Sequence, residues 1–318
     1  MSSAMILEDA SKFWIPTPMA SRLRDRIEQC LQCGDTGCVI VGEARLGKTS
    51  AIRRILSELS NRSGERIHVF YTHYGQRDTE TVRAVFAKIA RALGAEVGRQ
   101  TADKLLDWIT VHLADAAQAN STRQVALLID EAQLLSAKQL NAFAEIYNEL
   151  VVMRINCAIF FVANLDQFRP LARTLMKIEN RYVRERFFYN LEYFYGIRSE
   201  GELAACLNQY DEYRLDDGSE RRVTECFYPE LYEQGWRLAS IAPFYWRYYR
   251  ENYGLPLGQD SFGMAHFVRA TNLLVMDYLP YCTDKDDSAL IEACVVKSLA
   301  GAGIEPSLVS LTGRVEQC

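Results

Sequence analysis

Apolar and polar positions along the chain follow two periods. Solid apolar runs occur at Cys38–Val41, Val125–Ile129 and Cys157–Ala163, and the mainly apolar stretches Ile67–Tyr71 and Phe187–Phe194 also read as strands, with the length and the β-branched or aromatic content that strands favour. Between them apolar residues recur every three or four positions. That spacing predicts helices over 19–33 (Leu23, Ile27 and Leu31 on one face), Ala51–Leu59, Val82–Leu93, Leu105–Ala117, Leu134–Arg154 and Arg169–Arg186. Turn chemistry separates them: Asn61-Arg62-Ser63-Gly64, a polar loop over Thr72–Thr79, and Asn120-Ser121-Thr122. Strands alternating with helices predict an α/β domain around a five-stranded parallel sheet.

The pattern changes near residue 197. A helix is predicted over 199–213, a charged loop over 211–220, and helices over Ala265–Tyr278 and Ser288–Leu299, with a mobile tail from Gly301. The expected division is therefore a core over 1–196, a helical second domain over 197–303 and a tail over 304–318. Residues 227–253 hold ten aromatics, with Arg237, Arg247 and Arg250 among them. Bases can stack on such a segment. The preferred reading is the apolar core of a small helical domain, or a protein interface.

Composition narrows the class. The chain has 318 residues, 49% hydrophobic and 24% charged, with no apolar run as long as a membrane span and no signal-peptide pattern. A net charge of −5 argues against a constitutively basic DNA-binding domain but leaves room for a local basic strip. Nine scattered cysteines fit free thiols in a reducing cytoplasm. Cys30-Leu31-Gln32-Cys33 lacks the nearby second pair that a zinc site needs, and reads as a helix end.

The chemistry centres on Gly42-Glu43-Ala44-Arg45-Leu46-Gly47-Lys48-Thr49, followed by Ser50. It is G-x-x-x-x-G-K-T between a strand and a helix, which aims backbone N–H groups and a helix N-terminus at one point suited to a polyphosphate. Lys48 is expected to reach the β/γ-phosphates and the Thr49 hydroxyl to bind Mg²⁺. The strand at 125–129 ends in Asp130-Glu131, a Walker B pattern. Asp130 would hold the Mg²⁺ water shell and Glu131 would polarise the attacking water. Asn164 at the end of the fourth strand is either a contact to that water or to the γ-phosphate, or a turn-forming asparagine. The extended segment Phe13–Pro18, Ile15 included, either lies over a purine ring or anchors on the core.

These motifs in this order resemble an AAA+ ATPase over residues 13–303. The resemblance implies ATP and Mg²⁺ as ligands, a helical lid domain, Asn164 as sensor-1, and a sensor-2 arginine at Arg269 within Phe267–Leu274. It also implies a trans-acting arginine before the fifth strand, best matched by Arg186, then Arg184, with Arg181 nearby. Within AAA+, the I-D-E-A-Q strand end and the V-F-Y-T…T-V-R-A-V-F-A-K-I-A-R-A-L-G stretch resemble the TnsC/TniB regulators of DNA transposition. That family implies assembly on duplex DNA as a ring or helical filament. It further implies a link between a target-selection protein and transposase subunits, and hydrolysis that resets the assembly. The DNA-facing candidates are Gln76, Arg77, Thr79 and Arg83, with Lys88 further along the helix. The plain alternative is a solvated loop and helix face. Other functional readings stay open: a helicase loader or replication initiator, a nucleotide-switched signalling NTPase, or a scaffold that binds ATP without hydrolysis.

Overall fold

A computed structural model describes residue 7 and residues 13–75, 81–214, 221–281 and 288–304. Five strands, β1 (Val39–Gly42), β2 (His68–His73), β3 (Gln124–Asp130), β4 (Asn156–Asn164) and β5 (Leu191–Tyr193), form one sheet in the order β2-β3-β4-β1-β5. Every pairing is parallel. The central strands are buried along almost their whole length, which is why they read as solid apolar runs rather than alternating ones.

The helices of this body are α1 (Pro18–Cys33), α2 (Lys48–Leu56), α3 (Val82–Ala92), α4 (Ala102–Ala117), α5 (Ala137–Val152), α6 (Leu165–Leu175) and α7 (Arg181–Phe187). Local signals set several starts. Thr81 and Thr101 accept the N–H groups of Ala84 and Lys104, and Ser136 and Gln139 form a reciprocal capping box. That box starts α5 at Ala137, three residues after the predicted Leu134, because Ala132–Leu134 is a separate 3₁₀ turn. The predicted helix over 169–186 is two helices. Asn164 caps α6 early, and extended Lys177 breaks the chain before α7. The fifth strand is shorter than predicted for a related reason. Phe187 ends α7 and is fully buried, its ring 5.9 Å from Phe161, so its apolar character serves helix packing.

By internal contacts the chain divides into two bodies. One comprises Ala20–Ala44 and Lys48–Phe194; the other comprises Met1–Met19, Arg45–Gly47 and Tyr195–Cys318. The second body is helical: α8 (Glu200–Glu212), α9 (Val223–Phe227), α10 (Pro229–Glu233), α11 (Ala242–Tyr249), α12 (Met264–Leu273) and α13 (Ser288–Gly301). Its core takes much of the aromatic segment. Tyr228, Tyr245 and Tyr249 are buried, and Tyr249 stacks on Phe262 at 3.9 Å. The buried Tyr249 hydroxyl finds a partner, donating to the Ser261 carbonyl at 3.1 Å. Phe13 and Ile15 are buried in the same core, as the anchor reading expects, with the Phe13 ring 4.6 Å edge-on to Tyr210. The predicted charged loop over 211–220 and the tail from Gly301 lie partly outside the described residues.

One close approach fixes how the chain enters β1. Gly37 has φ +133°, and a Cβ placed there would stand 1.8 Å from the Ile159 carbonyl oxygen. Ile159 and Phe161 donate their N–H groups to Thr36 and Cys38 at 2.8 and 3.0 Å, so β4 cannot move away without losing ladder bonds. Gly37→Ala is expected to cost about 3 kcal/mol or more. Denaturant titration checks this, and a variant within 1 kcal/mol of the parent, roughly the effect of an ordinary substitution, would contradict it.

Candidate nucleotide site

The parallel register carries three chemical groups to one edge. Gly42 pairs with Asn164, and Ile129, one residue before Asp130, pairs with Phe161 on the same strand β4. The carboxyl ends of β1, β3 and β4 therefore finish together, where open α/β sheets bind ligands. From β1 the chain turns into α2, whose first residue is Lys48. Arg45 (φ 64°) and Gly47 (φ 91°) take left-handed conformations in this turn. Lys48 Nζ donates to the Gly42 carbonyl at 2.7 Å and also to the Glu43 carbonyl. Burial pushes the Lys48 ammonium below its ordinary value, and Asp130, Glu131 and Glu43 oppose that shift. A desolvated cation on carbonyl acceptors is suited to meet an incoming phosphate.

Asp130 is 4% exposed, so its carboxylate needs partners. Thr49 Oγ1 donates to Oδ2 at 3.1 Å, Tyr71 Oη donates to the same oxygen at 2.9 Å, and the Glu131 N–H donates to Oδ1 at 2.9 Å. A hydroxyl and a carboxylate held this close are hard oxygen donors that fit Mg²⁺, which takes one or two protein oxygens and completes its shell with water and phosphate. Tyr71 was not anticipated from the sequence. Its place follows from the β2–β3 register, which pairs His73 with Asp130 and Thr72 with Ile129. Burial, then the bond to Asp130, raises the Tyr71 phenol, and the Arg53 guanidinium lies 5.3 Å over its ring.

Glu131 is exposed and sits in the left-handed region at φ 57°, unusual for a residue with a side chain. Its carboxylate accepts from Gln133 Nε2. Gln133 also reaches β4 and α6: its Oε1 accepts the Asn164 N–H at 3.0 Å, and its Nε2 donates to Gln167 Oε1 at 3.2 Å. Gln133 closes the I-D-E-A-Q strand end, but its partners Asn164 and Gln167 are 31 and 34 positions away, so no local pattern marks its role. The Asn164 side chain caps α6, accepting from the N–H groups of Asp166 and Gln167 at 3.1 and 3.2 Å. The turn-forming role foreseen for Asn164 is thus present, at the same strand end as the expected phosphate contact.

Other expected residues have partners of their own. Arg83 donates to the carbonyls of Gln100 at 2.8 Å and Gly98 at 3.1 Å, so its guanidinium braces the segment before α4. Gln76, Arg77 and Thr79 lie outside the described residues. The arginines expected directly before the fifth strand stand on α7. Arg181 pairs with Glu185 at 2.6 Å. Arg184 donates to the Met176 carbonyl at 3.1 Å, capping α6. The Arg186 guanidinium lies over the rings of Tyr147 and Tyr182, at 4.8 and 4.6 Å, and donates to Asn148 Oδ1 at 2.5 Å and to the Tyr182 hydroxyl at 3.0 Å. In the second body, the N–H of Ala265 donates to the Arg45 carbonyl at 3.1 Å, and Arg269 on α12 lies beside Gly303.

Residues 33–170 match a family model described as an AAA domain, a span running from the end of α1 through the candidate site into α6. No curated protein matches the chain. Solved structures similar to this chain include the ORC2 protein of Aeropyrum pernix (16% identity, 92% of this chain and 71% of that one, TM-score 0.47). Others are Cdc6p from Pyrobaculum aerophilum (15%, 85% and 70%, 0.46) and Drosophila ORC bound to DNA (16%, 97% and 67%, 0.47). No helix among the described residues is long and apolar enough to cross a membrane.

Lys48→Ala should raise the Kd for ATP roughly 100-fold, because it removes the cation facing the phosphates. Calorimetric titration measures this, and an unchanged Kd would remove Lys48 from the phosphate site.

Proposed function

We propose that this chain is an AAA+-type ATPase that assembles on duplex DNA and regulates DNA transposition. The observation that supports the ATPase reading is the Thr49–Asp130 pair at 3.1 Å, beside Lys48 and Glu131, on the ends of α2 and β3. In this reading the loop Gly42–Gly47 and the start of α2, Ser50 included, cradle the phosphates, and Lys48 balances their charge. Thr49 and Asp130 hold Mg²⁺, which offsets charge on the β- and γ-oxygens when bound. Glu131 takes the proton from the attacking water, and Asn164 orients that water or the γ-phosphate. Arg269 reaches the phosphates as a sensor.

Assembly completes the reading. Arg186, with Arg184 as second choice, is the cation supplied to a neighbouring copy's γ-phosphate. A trans-acting guanidinium is worth about a thousandfold or more in NTPases that use one. A monomer of net charge −5 is a poor DNA ligand, since affinity grows with the number of phosphates neutralised. Six copies bringing one or two basic or polar groups each give roughly six to twelve phosphate contacts, enough for steep salt dependence. The loop with Gln76, Arg77 and Thr79, and Arg83 after it, is the proposed surface. Such contacts to the backbone hold any sequence. The target-selection and transposase partners rest on the I-D-E-A-Q strand end and the stretch from Val69 to Gly94.

Glu131→Gln should keep ATP affinity and lower turnover by about 100-fold or more. A variant that still turns over at the parent rate would refute the assigned base. Mixing Arg186→Ala with Lys48→Ala should restore some turnover through mixed interfaces, and co-assembled mixtures that stay inactive would count against Arg186. Fluorescence anisotropy with duplex DNA should detect tight binding with a non-hydrolysable ATP analogue and little without nucleotide. Tight binding by nucleotide-free monomer would defeat assembly-dependent binding. Loss of target choice in a reconstituted transposition assay on removing this protein tests the last step, and unchanged target choice would exclude it.

A further inference from the structure

Gln133 has all its side-chain hydrogen-bonding groups engaged, and each partner belongs to the candidate site or to the strand and helix beside it. Its Oε1 takes the Asn164 N–H at 3.0 Å; its Nε2 gives one hydrogen bond to Glu131 and one to Gln167 at 3.2 Å. The acceptor side must face the Asn164 N–H, which has no acceptor role. The amide orientation is therefore determined, and the NH₂ group necessarily faces the Glu131 carboxylate.

Glu131 needs such a tether. It follows the last residue of β3, carries a left-handed backbone, and its side chain is exposed, so packing does not fix its rotamer. A carboxylate that takes a proton from water must be held within hydrogen-bond reach of it, and an error near 1 Å can cost about 100-fold. Gln133 takes its own position from β4, through the strand-end N–H of Asn164, which pairs across to Gly42 at the start of the phosphate loop. Glu131 is thereby aligned to the strand pair that carries the phosphates rather than to its own loose loop.

We propose that Gln133 is the positioning residue for Glu131, setting the carboxylate's direction relative to the γ-phosphate through β4. This rests on the ATPase reading above. Gln133 transfers no proton and touches no ligand; it acts on the proton acceptor by holding it.

Two substitutions separate this role from a structural brace. Gln133→Ala removes both the acceptor for Asn164 and the donor to Glu131. Gln133→Glu keeps an acceptor oxygen for Asn164 but replaces the donor by a second carboxylate. Both variants should lose roughly 10- to 100-fold in kcat, with KM for ATP, affinity for a non-hydrolysable analogue and Tm near the parent values. Wild-type kcat in Gln133→Glu would overturn the proposal. So would a loss matched by falls in Tm and analogue affinity in both variants, which is the mark of a brace. Parent protein and Glu131→Gln run alongside. If the parent binds ATP without hydrolysing it, the ATPase reading fails and this proposal falls with it. If the parent hydrolyses, Glu131→Gln does not, and Gln133→Glu is unaffected, the positioning role alone is wrong.

Discussion

The Asp130 carboxylate is nearly sealed from water at the end of a fully buried strand, and that single condition organises the site. A buried carboxylate without donors is costly, by several kcal/mol. Here the donors come from the start of α2, from β2 and from the backbone of Glu131. Satisfying the charge therefore draws three separate pieces of chain to one point. It also leaves Thr49 and Asp130 side by side, a geometry that suits a hard divalent cation. Folding requirement and proposed chemistry are met by the same bonds.

Register does the same work for Asn164. Because β1 lies against β4 with Gly42 opposite Asn164, whatever fixes one strand end fixes the other. Gly37 lets the chain approach Ile159 closely enough for that pairing to begin. Gln133 then extends the alignment to the exposed carboxylate of Glu131, which no buried contact would hold.

The arginines show how internal needs compete with outward roles. Arg83 and Arg184 donate hydrogen bonds to backbone carbonyls of their own chain, and Arg186 lies over two tyrosine rings. Aromatic faces stabilise a cation without cancelling its charge. Arg186 also donates to Asn148 Oδ1 and to the Tyr182 hydroxyl, so side chains of its own chain hold its guanidinium in place.

The sequence by itself determined the five parallel strands, most of the helices and the two nucleotide motifs. These depend on local signals: solid apolar runs, a 3.6-residue period, and residues whose backbone or charge is required at fixed spacing. The aromatic run at 227–253 was legible as core, because aromatics at that density must be covered and few polar groups there can cover them. Tertiary structure alone decided the rest. It split the predicted helix at 169–186, since the Asn164 cap and the break at Lys177 act through neighbours that periodicity does not see. It turned Phe187 from a strand residue into a helix end packed on Phe161. It also brought Tyr71 to Asp130 and Gln133 to Asn164, residues 59 and 31 positions apart. Such pairings arise from strand register, which depends on how whole strands align across the sheet, and no window of neighbouring residues encodes it.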